Sequence, residues 1–198
     1  MKIICIEGNY KNNEFNSSHP VFFIKPETCL LKNNHPFFIP DHSPVIIPNV
    51  NLVIKISRLG KNIQEKFAHL YYNEIGIGVD ITATDTLADC KKNSQPWDTA
   101  KSFDNSAPLG NFIPITSISN LFNIPFSLQI NSETVLTSNS SEMIFNFNKI
   151  IQHVSQYITI KTGDLVYTGS PLSSSYLKIN DRLECYIGSQ KLLWFNIK

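Results

Sequence analysis

Residue types that commonly do chemistry are sparse in this chain, and their spacing excludes several familiar arrangements. The four cysteines, Cys5, Cys29, Cys90 and Cys185, stand in separate segments with no CxxC pair. His35, His42, His69 and His153 show no paired metal-ligand spacing. Cys90 has Asp85 and Lys91 nearby in sequence but no histidine, so it reads as a small buried residue rather than a nucleophile. What remains is charged and hydroxyl side chains in every segment, carboxylates and amines included, among which spacing alone singles out none. A carboxylate and amines of this kind can exchange protons, hold a small anion, or simply pair with each other in the interior.

The elements that must position these residues are mostly strands. Short β-rich runs occur at 2–6, 21–24, 52–56, 76–82, 126–130, 164–168, 182–187 and 191–197. Gly188-Ser189 reads as a hairpin turn, and Asn131-Ser132 as a turn leading to Val135 and Leu136. Helical periodicity is confined to Ile63, Phe67 and Leu70, and to Ile144, Phe147, Ile151, Val154 and Ile158 behind a Ser140 or Ser141 cap. A shorter helix over 87–92 stops ahead of Gln95-Pro96. The expected class is a β-rich α+β fold. Prolines break the first fifty residues into extended pieces, and no composition shift marks an interdomain linker, so one domain over 1–198 is expected.

Seven runs occur in one order: GNY (8–10), FFIKP (22–26), GVDITATD (78–85), DCKKNSQPW (89–97), AKSFD (100–104), NSSEMIF (139–145) and GDLVYTGSP (163–171). Together they resemble the fumarylacetoacetate hydrolase family, in its single-domain branch of acylpyruvases, oxaloacetate decarboxylases and 2-hydroxyhepta-2,4-diene-1,7-dioate isomerases. The resemblance implies a mixed β-sandwich roll with a few packed helices, a lid-bearing N-terminal part over about 1–48 and a catalytic-type core over 49–198. It also implies a homodimer, a magnesium or manganese site, and C–C hydrolysis, decarboxylation or enol–keto isomerisation of small β-dicarbonyl or enol acids. In that chemistry the metal supplies positive charge beside the developing enolate oxygen.

The same resemblance exposes departures. Where the family carries Glu-x-Glu on a strand, this chain has Asn49-Val50-Asn51, leaving Asp80 as the one remaining carboxylate ligand. The lid positions for His and Glu are Asn13 and Asn16, with Glu14 and His19 the nearest replacements. Thr84 stands at a pocket Arg position, and Ser173-Ser174-Ser175 replaces a glycine-containing stretch. The resemblance leaves Lys101, Asp80 and Glu14 as catalytic candidates, and Thr168, Gly169 and Ser170 as substrate-binding ones, with Tyr10 and Lys25 at the rim. At an effective dielectric of about 20, two unit charges about 4 Å apart interact by roughly 4 kcal/mol, so loss of two anions should cost a divalent ion several kcal/mol. No cofactor is therefore expected beyond weak binding of Mg or Mn. Asp80 is expected either as a residual ligand or as a structural acceptor, and Lys101 either as a buried partner of Asp80 or as a catalytic amine.

Charge and composition narrow the partners. Seventeen basic residues against sixteen acidic ones give a net charge of +1, with no basic stripe, which argues against nucleic acid. No apolar run approaches membrane-spanning length, and unpaired cysteines suit a reducing cytoplasm. Two functional readings follow. One is a family member that has lost the parental reaction and binds a small ligand or serves as a scaffold. The other is an active hydrolase, decarboxylase or isomerase of a small oxo-acid, working through a remodelled site.

Overall fold

The structure is a computed structural model describing residues 1–11, 17–172 and 175–198. Its strands are β1 (Ile3–Glu7), β2 (Val21–Lys25), β3 (Leu30–Leu31), β4 (Ile46–Ile56), β5 (Tyr72–Ala83), β6 (Ala107–Pro114), β7 (Pro125–Ile130), β8 (Glu133–Asn139), β9 (Leu165–Tyr167), β10 (Arg182–Ile187) and β11 (Gln190–Asn196). The α-helices are α1 (Thr84–Lys92), α2 (Asp98–Lys101) and α3 (Phe147–Tyr157). One sheet runs β2-β1-β9-β4-β5-β6-β3, and the other β11-β10-β7-β8. This is the β-rich α+β class that the sequence leads one to expect.

A continuous apolar core joins the two sheets and α3. Ile4, Leu52, Ile54, Ile77 and Val79 enter it from the larger sheet, Leu128, Leu183 and Phe195 from the smaller one, and Ile150, Ile151 and Val154 from α3. Each such side chain contributes up to about 1.5–3 kcal/mol on burial. The central strands β4 and β5 are buried along most of their length. Their near-continuous burial explains why β4 and β5 read as apolar runs rather than as alternating strands. Gly78 permits close packing here, because a Cβ on it would lie 2.6 Å from the Tyr167 ring.

Several elements differ from the sequence reading, for identifiable reasons. The segment with Phe67 and Leu70 is a 3₁₀ helix, Glu65–Tyr71, in which residues three apart share a face but residues four apart do not. Ile63 is buried ahead of it, whereas Phe67 and Leu70 are exposed. Helix α3 begins at Phe147 under an Asn146 cap whose side chain accepts from Lys149 N–H, and Ser140 and Ser141 belong to a separate 3₁₀ turn. Ile144 therefore lies outside the helix and is exposed. Strand β6 does not read as a strand in the sequence because Pro108 and Gly110 interrupt its pattern, and its pairing with β5 shifts register between Gly76 and Gly78. Asn131 and Ser132 do turn the chain, both with positive φ. Among the described residues no helix is long and apolar enough to cross a membrane.

Candidate functional site

Strand pairing brings the chemistry-bearing residues to one place. Antiparallel β4 and β5 set Asn49 opposite Asp80 and Asn51 opposite Gly78. On its other side β4 pairs with β9, with Val53 opposite Tyr167, so the chain leaving β9 runs past Asn51. There Thr168 N–H donates to the Leu52 carbonyl at 3.0 Å, and Gly169 N–H donates to Asn51 Oδ1 at 2.7 Å. Gly169 has φ of +100°, and a Cβ on it would lie 2.7 Å from the Asn9 Cβ, so both conformation and space require glycine. Strand β1 lies parallel to β9 and ends at Glu7, while α2 ends at Lys101. A small polar cavity of about 50 Å³ results, bordered by Glu7, Asn49, Asn51, Asp80, Lys101 and Ser170. Lys101 also borders a larger, mainly apolar pocket of about 320 Å³ with Phe23, Trp97, Asp98 and Ser102.

Charges in this cavity are paired. Asp80 Oδ1 lies 2.7 Å from Lys25 Nζ, and Asp80 Oδ2 lies 3.0 Å from Lys101 Nζ. Lys101 Nζ also lies 3.3 Å from Glu7 Oε2. Two cations thus face two carboxylates. Lys25 is fully buried and donates further to the Ser106 carbonyl and hydroxyl at 2.7 and 3.1 Å, which fixes it beneath the cavity. Burial opposes ionisation of Asp80, but Lys101 and Lys25 outweigh it and hold the carboxyl below its ordinary range. For Lys101, burial opposes the charge, and Asp80 and Glu7 prevail, keeping it protonated above the usual lysine range. The Phe23 ring, 5.3 Å from Lys101 Nζ, adds a cation–π contact.

Asn49 and Asn51 are committed elsewhere. Asn51 Nδ2 donates to the Asn49 carbonyl at 2.9 Å, and Asn49 Nδ2 donates to the Asp80 carbonyl and Thr82 Oγ1 at 3.0 and 3.1 Å. Because a carbonyl can only accept and an N–H can only donate, these partners fix the orientation of both amides. They join β4, β5 and the loop after β9 into one hydrogen-bonded unit. Magnesium and manganese favour several charged oxygen ligands. Here both Asp80 oxygens face lysines, Asn51 Oδ1 is taken by Gly169, and neither asparagine carries charge. The donor set does not fit a tightly held divalent ion. No cluster of three or more His, Cys, Asp or Glu with metal-binding placement occurs among the described residues.

A model of the fumarylacetoacetate (FAA) hydrolase C-terminal family matches residues 2–193. The chain belongs to the fumarylacetoacetate hydrolase family. Mitochondrial oxaloacetate tautomerase FAHD1 of Mus musculus is 33% identical over 201 residues, covering 99% of this chain and 91% of the mouse protein. A fumarylacetoacetate hydrolase family protein of Yersinia pestis has a TM-score of 0.93 at 30% identity, over 100% of this chain and 93% of that one. Fumarylpyruvate hydrolase of Pseudomonas aeruginosa, solved in complex with Mn2+ and pyruvate, gives a TM-score of 0.92 over 100% of this chain and 89% of its own. Its 23% identity makes this a likeness of fold.

Within this family fold the residues singled out from sequence separate clearly. Asp80, Lys101, Asn49, Asn51 and Ser170 converge on the cavity. Ser170 donates to the Pro171 carbonyl at 2.9 Å. Lys25 is a buried partner of Asp80 rather than a rim residue. Tyr10 is not at a rim either: it is buried, its ring set edge-on to Phe126 at 6.0 Å, because the GNY turn folds inward beneath the 3₁₀ turn Ser140–Glu142. Thr168 is buried with its hydroxyl donating to the Leu52 carbonyl, so it anchors the loop instead of facing a ligand. Thr84 Oγ1 donates to the Val45 carbonyl at the start of α1. His19 is exposed and stacks near His153 of α3, away from the cavity. Asn13, Glu14 and Asn16 lie outside the described residues. Glu7 was missed, although a carboxylate ending a buried strand directly before GNY is a usable signal.

Proposed function

We propose that the chain is an enzyme that moves a proton on a small 2-oxo acid, interconverting keto and enol forms, with Lys101 as the resident positive charge. The observation that carries this reading is the placement of the Lys101 ammonium between Asp80 and Glu7, where the polar cavity meets the aromatic pocket. An ammonium has three donors. Two are directed to carboxylates, and the third is assigned to a substrate oxygen, where it would stabilise the enolate as charge builds up. The larger pocket beside Phe23 and Trp97 offers room for the rest of the substrate. The mouse relative's name, oxaloacetate tautomerase, supports retained catalysis over a ligand-binding or scaffolding homolog.

Magnesium or manganese would be held weakly, through Asp80 and the Asn49 side chain, and would add positive charge near the same oxygen. The proposed work is assigned to Lys101. A homodimer and a reducing compartment, the cytoplasm, complete the proposal; the four free cysteines, all buried, are consistent with that compartment.

The test is turnover on a panel of oxaloacetate, acylpyruvates and enol diacids, with and without chelator. Turnover unaffected by chelator and reduced at least about 100-fold in Lys101→Met is expected, matching the usual loss on removing an oxyanion donor. Absence of turnover, or its abolition by chelator, would overturn the reading.

A further inference from the structure

Resting on the role given to Lys101, we infer that Glu7 is the catalytic base that takes the proton from substrate carbon. Two carboxylates border the cavity, and their surroundings differ. Asp80 has a side chain only 8% exposed and lies within 3.0 Å of two buried ammonium groups, so its charge serves to fix them. The Glu7 side chain is 28% exposed and meets a single ammonium at 3.3 Å. Among the described residues, Lys101 is its one ion-pair partner. The chain turns away immediately after it at Gly8, with φ of 64°, which leaves Glu7 as the end of β1 at the cavity wall. Glu7 therefore combines access to ligand with a partner it shares with the substrate oxygen.

The proposed step balances without a redox partner. A Glu7 carboxylate oxygen takes a proton from the carbon beside the substrate carbonyl. The C–H electron pair forms the C=C bond, and the carbonyl π pair moves to oxygen, next to Lys101. Water then protonates that oxygen, and Glu7 releases its proton to water. Substrate leaves as the enol, with atoms and charge conserved. Because Lys101 holds both the base and the developing oxyanion, the carbon to be deprotonated is placed beside Glu7 without a lid residue.

Glu7→Gln keeps the shape and removes the basicity. Keto–enol turnover of oxaloacetate is expected to fall by about 100-fold or more, the usual weight of a general base. Calorimetric binding of oxalate, a planar stand-in for the enolate, should stay within about threefold of the parent, as for loss of an interaction made only in the transition state. Turnover in Glu7→Gln within about threefold of the parent would overturn the role of Glu7 and leave that of Lys101 standing. Should Glu7→Gln fail to fold, Glu7→Asp supplies the answer: a shortened carboxylate should lower kcat about tenfold with little change in KM, and an unchanged kcat overturns the inference. A parent protein with neither turnover nor oxalate binding overturns both readings together.

Discussion

Asn51 accepts the backbone N–H of Gly169 through Oδ1 at 2.7 Å, tying β4 to the loop that follows β9. With Asn49 bonded across to β5, the two asparagines act as struts that hold the cavity walls. The wall beside Asp80 is thus built from neutral side chains fixed in place.

Adding charge at these positions should therefore favour ion binding. In Asn49→Glu plus Asn51→Glu, a carboxylate at 51 can still accept from Gly169, and with Asp80 and Glu7 four carboxylates then border the cavity. We expect the double variant to bind Mn2+ in a calorimetric titration and to gain thermal stability when it does. Without metal it should lose about 1–3 kcal/mol, because the donors to the Asn49 and Asp80 carbonyls are removed. If no Mn2+ binds, the strut geometry does not match a ligand geometry.

Asp80 should govern the acid limit of stability. Its folded pKa lies below its unfolded one, so its contribution is present above about pH 3.9 and is lost as pH falls through the folded value. Lys101 has the opposite sign: its raised pKa contributes below about pH 10.4 and is lost as pH rises through the folded value. A plateau between these limits is expected in urea unfolding. Asp80→Asn leaves two buried ammonium groups short of a counter-charge, which should cost about 3–5 kcal/mol at pH 7. It should also flatten the acid limb. Equal stability of variant and parent at pH 7 would show that the cluster relaxes.

What was legible in the sequence follows from how local each feature is. Strands β1, β2, β7, β10 and β11 carry compact apolar runs, and the hairpin at Gly188-Ser189 has its own turn chemistry, so both could be read directly. The Asp80–Lys101 pair was foreseeable because both motifs point to one pocket. The roles of Tyr10 and Thr168 were not, since each depends on which way a turn faces, and that is decided by packing across more than a hundred residues. Glu7 ends a legible strand, but its partner is not legible. Nothing near it in sequence announces Lys101, which reaches it from the end of α2.

Tyr10 offers a last test, separating a core residue from a pocket residue. Its hydroxyl is buried and has no hydrogen-bond partner among the described residues, and burial, aided by Glu142, pushes the phenol pKa well above its usual value. A desolvated hydroxyl without a partner costs about 1–3 kcal/mol. Tyr10→Phe retains the ring that packs on Phe126 and removes that cost, so thermal unfolding should show a gain of about 1 kcal/mol. Turnover and KM should match the parent, because the ring lies outside the cavity lining. A raised KM would place the hydroxyl in contact with substrate, and a loss of stability would mean that the buried oxygen has a partner after all.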